Sequence, residues 1–120
     1  MKLCLFKDNC IDPIEVKGEL KEYYDLIECS CIDIVSRRIG DTYFDIICDD
    51  EGLLKDNPRV SAIDTEGNVM LVGNLIFSHT DDDGETIGVT DEEIAMIRDK
   101  AGLAVTEDGR IVGMVVELDY

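Results

Sequence analysis

The sequence predicts an α+β fold: a mainly antiparallel sheet of hairpins with two helices packed on it. Short apolar and β-branched segments alternate with turn residues, and two stretches carry helical signals. Of the 120 residues, 45% are hydrophobic, which is too many for a disordered chain of this charge. No linker, repeat or shift in composition divides the chain, so we expect a single domain over residues 1–120.

The first part of the chain predicts a hairpin followed by a helix. Lys2–Phe6 and Ile14–Lys17 have the composition of short strands, and Asp12-Pro13 marks a turn between them. In Gly18–Cys29 the apolar residues recur at the spacing of one helix face. They are Leu20, Tyr23, Tyr24 and Ile27. We expect this amphipathic helix to pack its apolar stripe on the sheet.

A second hairpin is predicted next. Cys31–Val35 and Tyr43–Cys48 are β-branched or aromatic, whereas Ser36–Thr42 between them is polar. The second strand ends at the acidic Asp49-Asp50-Glu51-Gly52. The following Leu53–Arg59 contains a proline and has no regular pattern, so we expect it to be irregular.

The middle of the chain predicts two further strands around a tight turn. Val60–Ile63 and Asn68–Phe77 flank Asp64-Thr65-Glu66-Gly67, whose glycine tolerates a positive φ. The apolar runs Val69–Val72 and Leu75–Phe77 do not alternate with polar residues. That pattern is typical of strands buried on both faces.

The second helix has the clearest local signal. Thr90-Asp91-Glu92-Glu93 is a capping box, in which the threonine and the last glutamate each accept a hydrogen bond from the other's backbone amide. Val89 and Ile94 are placed to form the accompanying hydrophobic staple. We expect the helix to end near Ala101, with Gly102 just beyond it.

The C-terminus predicts a terminal hairpin. Leu103–Thr106 and Arg110–Leu118 are its strands, and Glu107-Asp108-Gly109 is its turn. Four apolar residues of the second strand would share one face: Val112, Met114, Val116 and Leu118. We expect the apolar Ile111–Val116 run either to complete the sheet or to pair with another subunit in a homodimer.

The charge excludes two classes of partner. Residues 41–120 carry twenty of the 28 acidic side chains and only five of the eleven basic ones, and the net charge is −17. Binding to phosphate backbones or to anionic membranes needs an excess of lysine and arginine, so we expect neither. No apolar run reaches the length of a membrane span, and no signal-peptide core is present, so we expect a cytoplasmic protein.

The cysteines favour reduced thiols. There are five of them, and an odd number argues against a disulfide framework: Cys4, Cys10, Cys29, Cys31 and Cys48. Cys29 and Cys31 are separated by one residue, which is not the spacing of zinc knuckles or thioredoxin-like motifs. We therefore expect two buried thiols at a helix–strand junction, and the alternative is a redox or metal role for this pair.

No motif predicts an enzyme or a cofactor. With Gly84 at the glycine position of a calcium-binding loop, the first and last positions of that loop fall on residues that are not acidic. Cys48 and His79 would form a nucleophilic pair only if the fold brought them together, which nothing in the sequence indicates. We expect no catalytic residue, no metal site and no cofactor.

Two acidic clusters are the strongest candidates for a binding surface. They are Asp49, Asp50 and Glu51, and Asp81, Asp82, Asp83 and Glu85. A domain about 35 Å across matches a length of duplex DNA that carries roughly 20 phosphate charges, which is close to the charge of this chain. We expect these acids to bind a basic protein surface, such as that of a nucleic-acid-binding host factor. The ordinary alternative is that they only keep the protein soluble.

Three arginines indicate an alternative function. Arg37, Arg38 and Arg59 lie in predicted connecting segments, where binding residues are common, and guanidinium groups suit phosphate. They would serve a protein that binds and sequesters a small ligand or nucleotide signal. The structural alternative is that the three arginines form ion pairs with neighbouring acids.

Several segments resemble the small DUF3846 domain over about residues 1–100. These segments are Glu15–Leu20, Cys31–Val35, Ile47–Leu54, Asn57–Arg59 and Val72–Ile76. This chain has Glu28-Cys29-Ser30 where the family commonly has two glycines, and it has Pro58 within the usual Asn-Arg pair.

The resemblance implies little about biochemical function. The family has no established enzymatic activity, and its members occur in phages, plasmids and other mobile elements of bacteria. Small acidic proteins from such elements often inhibit host defence or restriction, in some cases as DNA mimics. The resemblance therefore implies a non-enzymatic accessory protein that acts through its acidic surface.

Overall fold

The computed structural model describes residues 1–55, 58–105 and 108–120, with the backbone alone described at positions 53, 111 and 112. The strands are β1 (Lys2–Lys7), β2 (Cys10–Glu15), β3 (Ile32–Ile39), β4 (Thr42–Asp49), β5 (Val60–Ile63), β6 (Val69–Val72), β7 (Leu75–Thr80), β8 (Thr86–Ile87), β9 (Ala101–Val105) and β10 (Ile111–Glu117). The helices are α1 (Leu20–Ile27) and α2 (Asp91–Asp99), and a 3-10 turn covers Gly52–Leu54. The predicted α+β class is confirmed.

The larger of two sheets has the strand order β2-β1-β7-β4-β3, with β8 pairing to the end of β7. All its pairings are antiparallel, and both predicted hairpins, β1–β2 and β3–β4, form. β7 is central, with β1 on one side and β4 on the other. Leu75 and Phe77 point into one core and Ile76 into another, and all three are fully buried. The prediction that this strand is buried on both faces is confirmed.

The smaller sheet has the order β6-β5-β10-β9. β5–β6 and β9–β10 are the predicted antiparallel hairpins, but β10 pairs with β5 in parallel. Because β10 lies between β5 and β9, the Ile111–Val116 run completes the smaller sheet, which was the first of the two alternatives, and offers no open edge to another subunit. β9 is the edge strand instead. Glu107, in the predicted turn of this hairpin, lies outside the described residues, as does the side chain of Val112.

Two cores lie on the two faces of the larger sheet. α1 covers one face, where Tyr23 and Ile27 pack with Leu3, Ile47 and Ile76. The smaller sheet and α2 cover the other face with the larger core. Its fully buried side chains include Phe6, Phe44, Phe77, Ile97, Val116 and Leu118. The sheet is therefore the middle layer of the molecule.

Both helices begin with capping boxes. In α2, Thr90 Oγ1 accepts from the amide of Glu93 at 3.1 Å, and Glu93 Oε1 accepts from the amide of Thr90 at 2.9 Å, as predicted. Val89 and Ile94 are both buried in the larger core, as a hydrophobic staple requires. In α1, Leu20 is 54% exposed, so the predicted apolar stripe is buried only further along the helix.

Four local predictions are wrong. The first turn lies at Asp8-Asn9, where both residues have positive φ, and Asp12-Pro13 lies inside β2. Proline is tolerated there because β2 is an edge strand. α2 ends at Asp99, and Gly102 continues into β9 without a positive φ. The predicted strand Asn68–Phe77 is two strands, because Gly73, with a positive φ, and Asn74 divide it into β6 of the smaller sheet and β7 of the larger one. Val69 at the start of β6 is 51% exposed, whereas the rest of that strand is buried.

The fourth error concerns the arginine pair. Arg37 and Arg38 were expected in a connection, but β3 and β4 pair along their whole length and turn only at Gly40-Asp41. In this polar segment Ser36, Gly40 and Asp41 are exposed, whereas Ile39 is buried in the larger core. Polar composition there marked an edge strand rather than a loop.

Candidate functional site

The two predicted acidic clusters lie at opposite ends of the larger sheet. β4 and β7 are antiparallel, with Ile47 opposite Ile76 and Asp45 opposite Ser78. Asp49–Glu51 therefore lies beside the start of β7, whereas Asp81–Glu85 follows its end. The six residues of β7 separate them by roughly 20 Å at about 3.3 Å per residue. The two clusters are therefore separate patches and do not form one contiguous acidic face.

Further carboxylates lie at the Asp81–Glu85 end. The pairing of β1 with β7 and with β2 brings the start of β1 and the end of β2 there. The β3–β4 turn and the first residue of α2 lie at the same end. We call the resulting group the acidic end: Glu15, Asp41, Asp81, Asp82, Asp83, Glu85, Asp91 and Glu92. All except Asp81 are exposed.

Three cations at the acidic end are already engaged. The N-terminal ammonium lies 3.3 Å from Glu15, and Lys2 Nζ lies 2.5 Å from Asp91. Arg38 donates to the carbonyl oxygens of Gly40 and Tyr120. Within residues 1–55, 58–105 and 108–120, six carboxylates of the acidic end make no ion pair, and all but Asp81 are exposed: Asp41, Asp81, Asp82, Asp83, Glu85 and Glu92. This end therefore projects a negative potential into solvent.

The loop Asp81–Glu85, which we call the acidic loop, is held in one shape by its own hydrogen bonds. Asp81 Oδ1 accepts from the amides of Asp83 at 3.0 Å and Glu85 at 2.9 Å. The backbone amide of Asp81 donates to the carbonyl of Glu85 at 2.9 Å. Asp81 thus serves the turn, while Asp82, Asp83 and Glu85 remain exposed. A fixed loop loses less conformational entropy on binding than a disordered one.

A partly buried pair, His79 and Glu93, anchors α2 beside this loop. His79 Nε2 and Glu93 Oε2 are 2.5 Å apart, and Phe44 stacks on His79 at 5.2 Å between ring centroids. Burial alone would raise the pKa of Glu93, but hydrogen bonds from the Thr90 amide and from His79 outweigh it and lower the pKa. Ionised Glu93 therefore joins the start of α2 to the end of β7.

Glu93→Gln is expected to remove a pH-dependent part of the stability. A carboxyl with a lowered pKa stabilises the fold above its unfolded value of about 4.3, and this contribution is lost as pH falls through the folded pKa. The melting temperature of the wild type should exceed that of Glu93→Gln at pH 7, and the gap should close as the pH is lowered below about 4. Glu92→Gln, which alters the exposed neighbour, is the control. An equal gap at pH 7 and pH 3 would contradict the assignment.

In the second predicted cluster, Asp49–Glu51, one of the three carboxylates already makes contacts within the fold. The side chain of Asp49 is only 7% exposed and lies 2.5 Å from Lys55 Nζ. Its other oxygen accepts from the amide of Glu51 at 2.9 Å. Asp50 and Glu51 are exposed. This cluster offers a partner two open carboxylates.

The three predicted arginines are not brought together. Arg37 lies over the ring of Tyr120 at 4.8 Å. Arg38, the next residue in β3, binds the C-terminal segment as described above. Arg59 donates to Asn9 and to the carbonyl of Met114. Arg37 and Arg38 therefore both contact the C-terminal Tyr120, whereas Arg59 is engaged elsewhere.

Arg59 lines a cleft of about 200 Å³ at the end of the larger sheet opposite the acidic end. We call it the Arg59 cleft. Its polar lining consists of Glu28, Asp49, Lys55, Arg59 and Asn74. The cleft is lined in part by residues from three of the segments that resemble the DUF3846 domain, for example Asp49, Pro58 and Asn74. The cleft therefore presents two cations and two carboxylates around one small volume.

The structure does not bring Cys48 and His79 together. Cys48 lies at the Leu75 end of β7, whereas His79 is at the other end of that strand. Burial raises the pKa of Cys48 to about 11, which keeps it a thiol rather than a nucleophilic thiolate. Among the described residues, no group of three or more metal-ligating side chains could hold an ion. No helix in the described part of the chain is long and apolar enough to span a membrane.

Sequence reasoning missed half of the acidic end. Glu15, Asp41, Asp91 and Glu92 are scattered along the chain and join the acidic loop only through strand register and the position of α2. No spacing motif marks them. Asp91 and Glu92 were recognised only as part of a capping box.

Comparison with known proteins gives one match. A family model described as "Domain of unknown function (DUF3846)" matches residues 1–102. The match includes the larger sheet, both helices and the start of β9. No curated protein and no solved structure matches the chain.

Proposed function

The chain belongs to the DUF3846 family, and from the acidic end that this member carries we propose that it is a non-enzymatic interaction module that binds a basic protein surface. The supporting observation is the strand register, which gathers eight carboxylates at one end of a sheet where the N-terminal ammonium and Lys2 are already paired. Opposite potentials steer association and favour a basic partner.

The negative charge of the acidic end also indicates which kind of partner it would bind. Phosphate groups are repelled by this surface, so a nucleic acid is a competitor for the same partner rather than a ligand. A protein surface that binds nucleic acid carries the excess of lysine and arginine that the acidic end complements. We propose such a host factor as the partner, in a phage or mobile-element accessory role of the host-defence-inhibitor or DNA-mimic type. We place the interaction in the cytoplasm, where all five cysteines would remain the free thiols that the structure has.

Asp82→Asn/Asp83→Asn is expected to weaken binding to a basic probe. A fluorescent lysine-rich peptide, titrated at low salt, should bind this variant roughly 2- to 30-fold more weakly than the wild type, because two exposed charges each contribute up to about 1 kcal/mol. The matched variant Asp50→Asn/Glu51→Gln removes the same charge at the other end of the sheet. It should change the affinity much less.

Two results would contradict the proposal. One is equal weakening by both variants, which would mean that only the net charge matters. The other is wild-type affinity that does not fall as salt is raised, since interactions between exposed charges are screened over about 8–10 Å at physiological ionic strength.

The Arg59 cleft favours a second candidate function, the binding of a small anionic ligand such as a nucleotide signal. Lys55 and Arg59 both line this cleft, although Arg37 and Arg38 do not. A ligand at about 100 times its Kd should stabilise the protein by about 2.7 kcal/mol. We expect inorganic phosphate or nucleotides to raise the melting temperatures of the wild type and of the Lys21→Gln control. The melting temperature of Arg59→Lys should rise less. No shift with any of them would exclude this candidate.

A further inference from the structure

We propose that the chain forms a two-fold dimer in which β9 pairs antiparallel with β9 of a second copy. This contact would join two smaller sheets into one continuous sheet of eight strands. It uses no residue of the acidic end, so it stands apart from the proposed function.

Three of the four sheet edges are protected. β2 carries Pro13, which has no amide hydrogen to donate. β3 is closed near its end, where Arg38 and Asp119 exchange two backbone hydrogen bonds of 2.9 Å. The 3-10 turn Gly52–Leu54 packs against β6, and a Cβ on Gly52 would lie 2.6 Å from a methyl group of Val72. Natural sheets use such features to prevent association through strand edges.

In the described part of the chain, β9 has none of these features. Its sequence, Ala-Gly-Leu-Ala-Val, contains no charge and no proline. Leu103 is 64% exposed and Val105 is 58% exposed. An uncharged, apolar edge strand is what a second strand pairs with.

The hydrogen bonds of β10 show which backbone groups of β9 face outward. The amide of Glu117 donates to the carbonyl of Lys100 at 3.0 Å, so the even-numbered residues of β9 face β10. On the other side of β10, the amide of Leu118 donates to the carbonyl of Ile63, as this alternation requires. The odd-numbered residues Ala101, Leu103 and Val105 therefore direct their amide and carbonyl groups away from the sheet.

Charge favours a second copy as the occupant of this edge. A basic partner gains nothing from a strand without acids, whereas two chains of net charge −17 approach each other best where neither carries charge. Antiparallel pairing centred on Leu103 places Leu103 opposite its symmetry mate and Ala101 opposite Val105. It also keeps the two Asp99 residues, which lie two positions before β9, at opposite ends of the interface. Parallel pairing would bring these like charges together.

Sedimentation equilibrium and hydrogen exchange test the dimer together. Between about 1 µM and 1 mM, the range of weak to moderate affinities, the wild type should shift from the monomer mass of 13.4 kDa to twice that mass. The amides of Ala101, Leu103 and Val105 should exchange more slowly as the dimer forms.

Leu103→Lys should remain a monomer, because pairing would place two lysines opposite each other. Val69→Lys, at the exposed position of β6, should dimerise as the wild type does. A wild type that stays monomeric throughout would overturn the proposal. So would a dimer that survives Leu103→Lys, or one that forms without slower exchange in β9.

Discussion

Replacing Phe77 by alanine is expected to lower the free energy of unfolding by about 3–5 kcal/mol, the cost of truncating a buried phenylalanine. The side chain is fully buried in the middle of the central strand β7. Its ring meets Phe44 edge to face, with the centroids 5.9 Å apart. The variant loses both the buried apolar area and this aromatic pair, and the rigid sheet cannot close the cavity.

Urea unfolding followed by circular dichroism measures this loss. Tyr43→Ala is the control, because Tyr43 lies in the neighbouring strand β4 but is 58% exposed. It should change the stability by no more than about 0.5 kcal/mol, as is usual for surface sites. Equal effects of the two substitutions would mean that β7 is not the centre of the larger sheet.

Leu118→Ala is expected to cost about 2–5 kcal/mol. Leu118 follows β10, is 1% exposed in the larger core, and donates its amide to the carbonyl of Ile63 at 2.9 Å. The next residue, Asp119, is bonded to Arg38 of the other sheet. Although the family model ends at residue 102, this segment beyond the match closes the core between the two sheets.

The same unfolding experiment checks this prediction. Leu20→Ala removes an equal side chain at a position that is 54% exposed, in a helix that favours alanine. It should leave the stability nearly unchanged. A loss at Leu118 as small as that at Leu20 would show that the C-terminal segment is not docked in solution.

The elements with strong local signals were predictable. The capping box at Thr90 and Glu93 is determined by residues within one helical turn, and it forms as predicted. The apolar run Leu75–Phe77 indicated a strand buried on both faces without any knowledge of its neighbours. Hairpins also followed from the sequence, because their strands are joined by short turns.

What depended on distant pairing was not predictable. β5 and β10 pair in parallel across some fifty residues, and no local pattern records that choice. Asp12-Pro13 has the composition of a turn, although an edge strand also accommodates proline. Gly102 has the position of a glycine that follows a helix end, although it lies in β9. In each case the neighbouring strand, not the local sequence, decides the structure.

The candidate site was likewise predictable in its local features but not in its long-range ones. The acidic loop was evident from its composition, but its separation from Asp49–Glu51 follows from the register of β4 on β7. Glu15 and Asp41 belong to the acidic end for the same reason. The arginines lie apart because Arg37 and Arg38 are in a strand of one sheet while Arg59 precedes a strand of the other.

The claim that the acidic end is the binding surface is tested most directly by mapping where a basic ligand contacts the protein. Amide chemical shifts of the isotope-labelled chain are followed while a lysine-rich peptide is added at low salt. We predict that the perturbed amides cluster at Asp41, Asp81–Glu85, Asp91 and Glu92, and that they return to their free positions at high salt. Perturbations centred on Asp49–Glu51 or the Arg59 cleft, or spread evenly over the acidic residues, would contradict it.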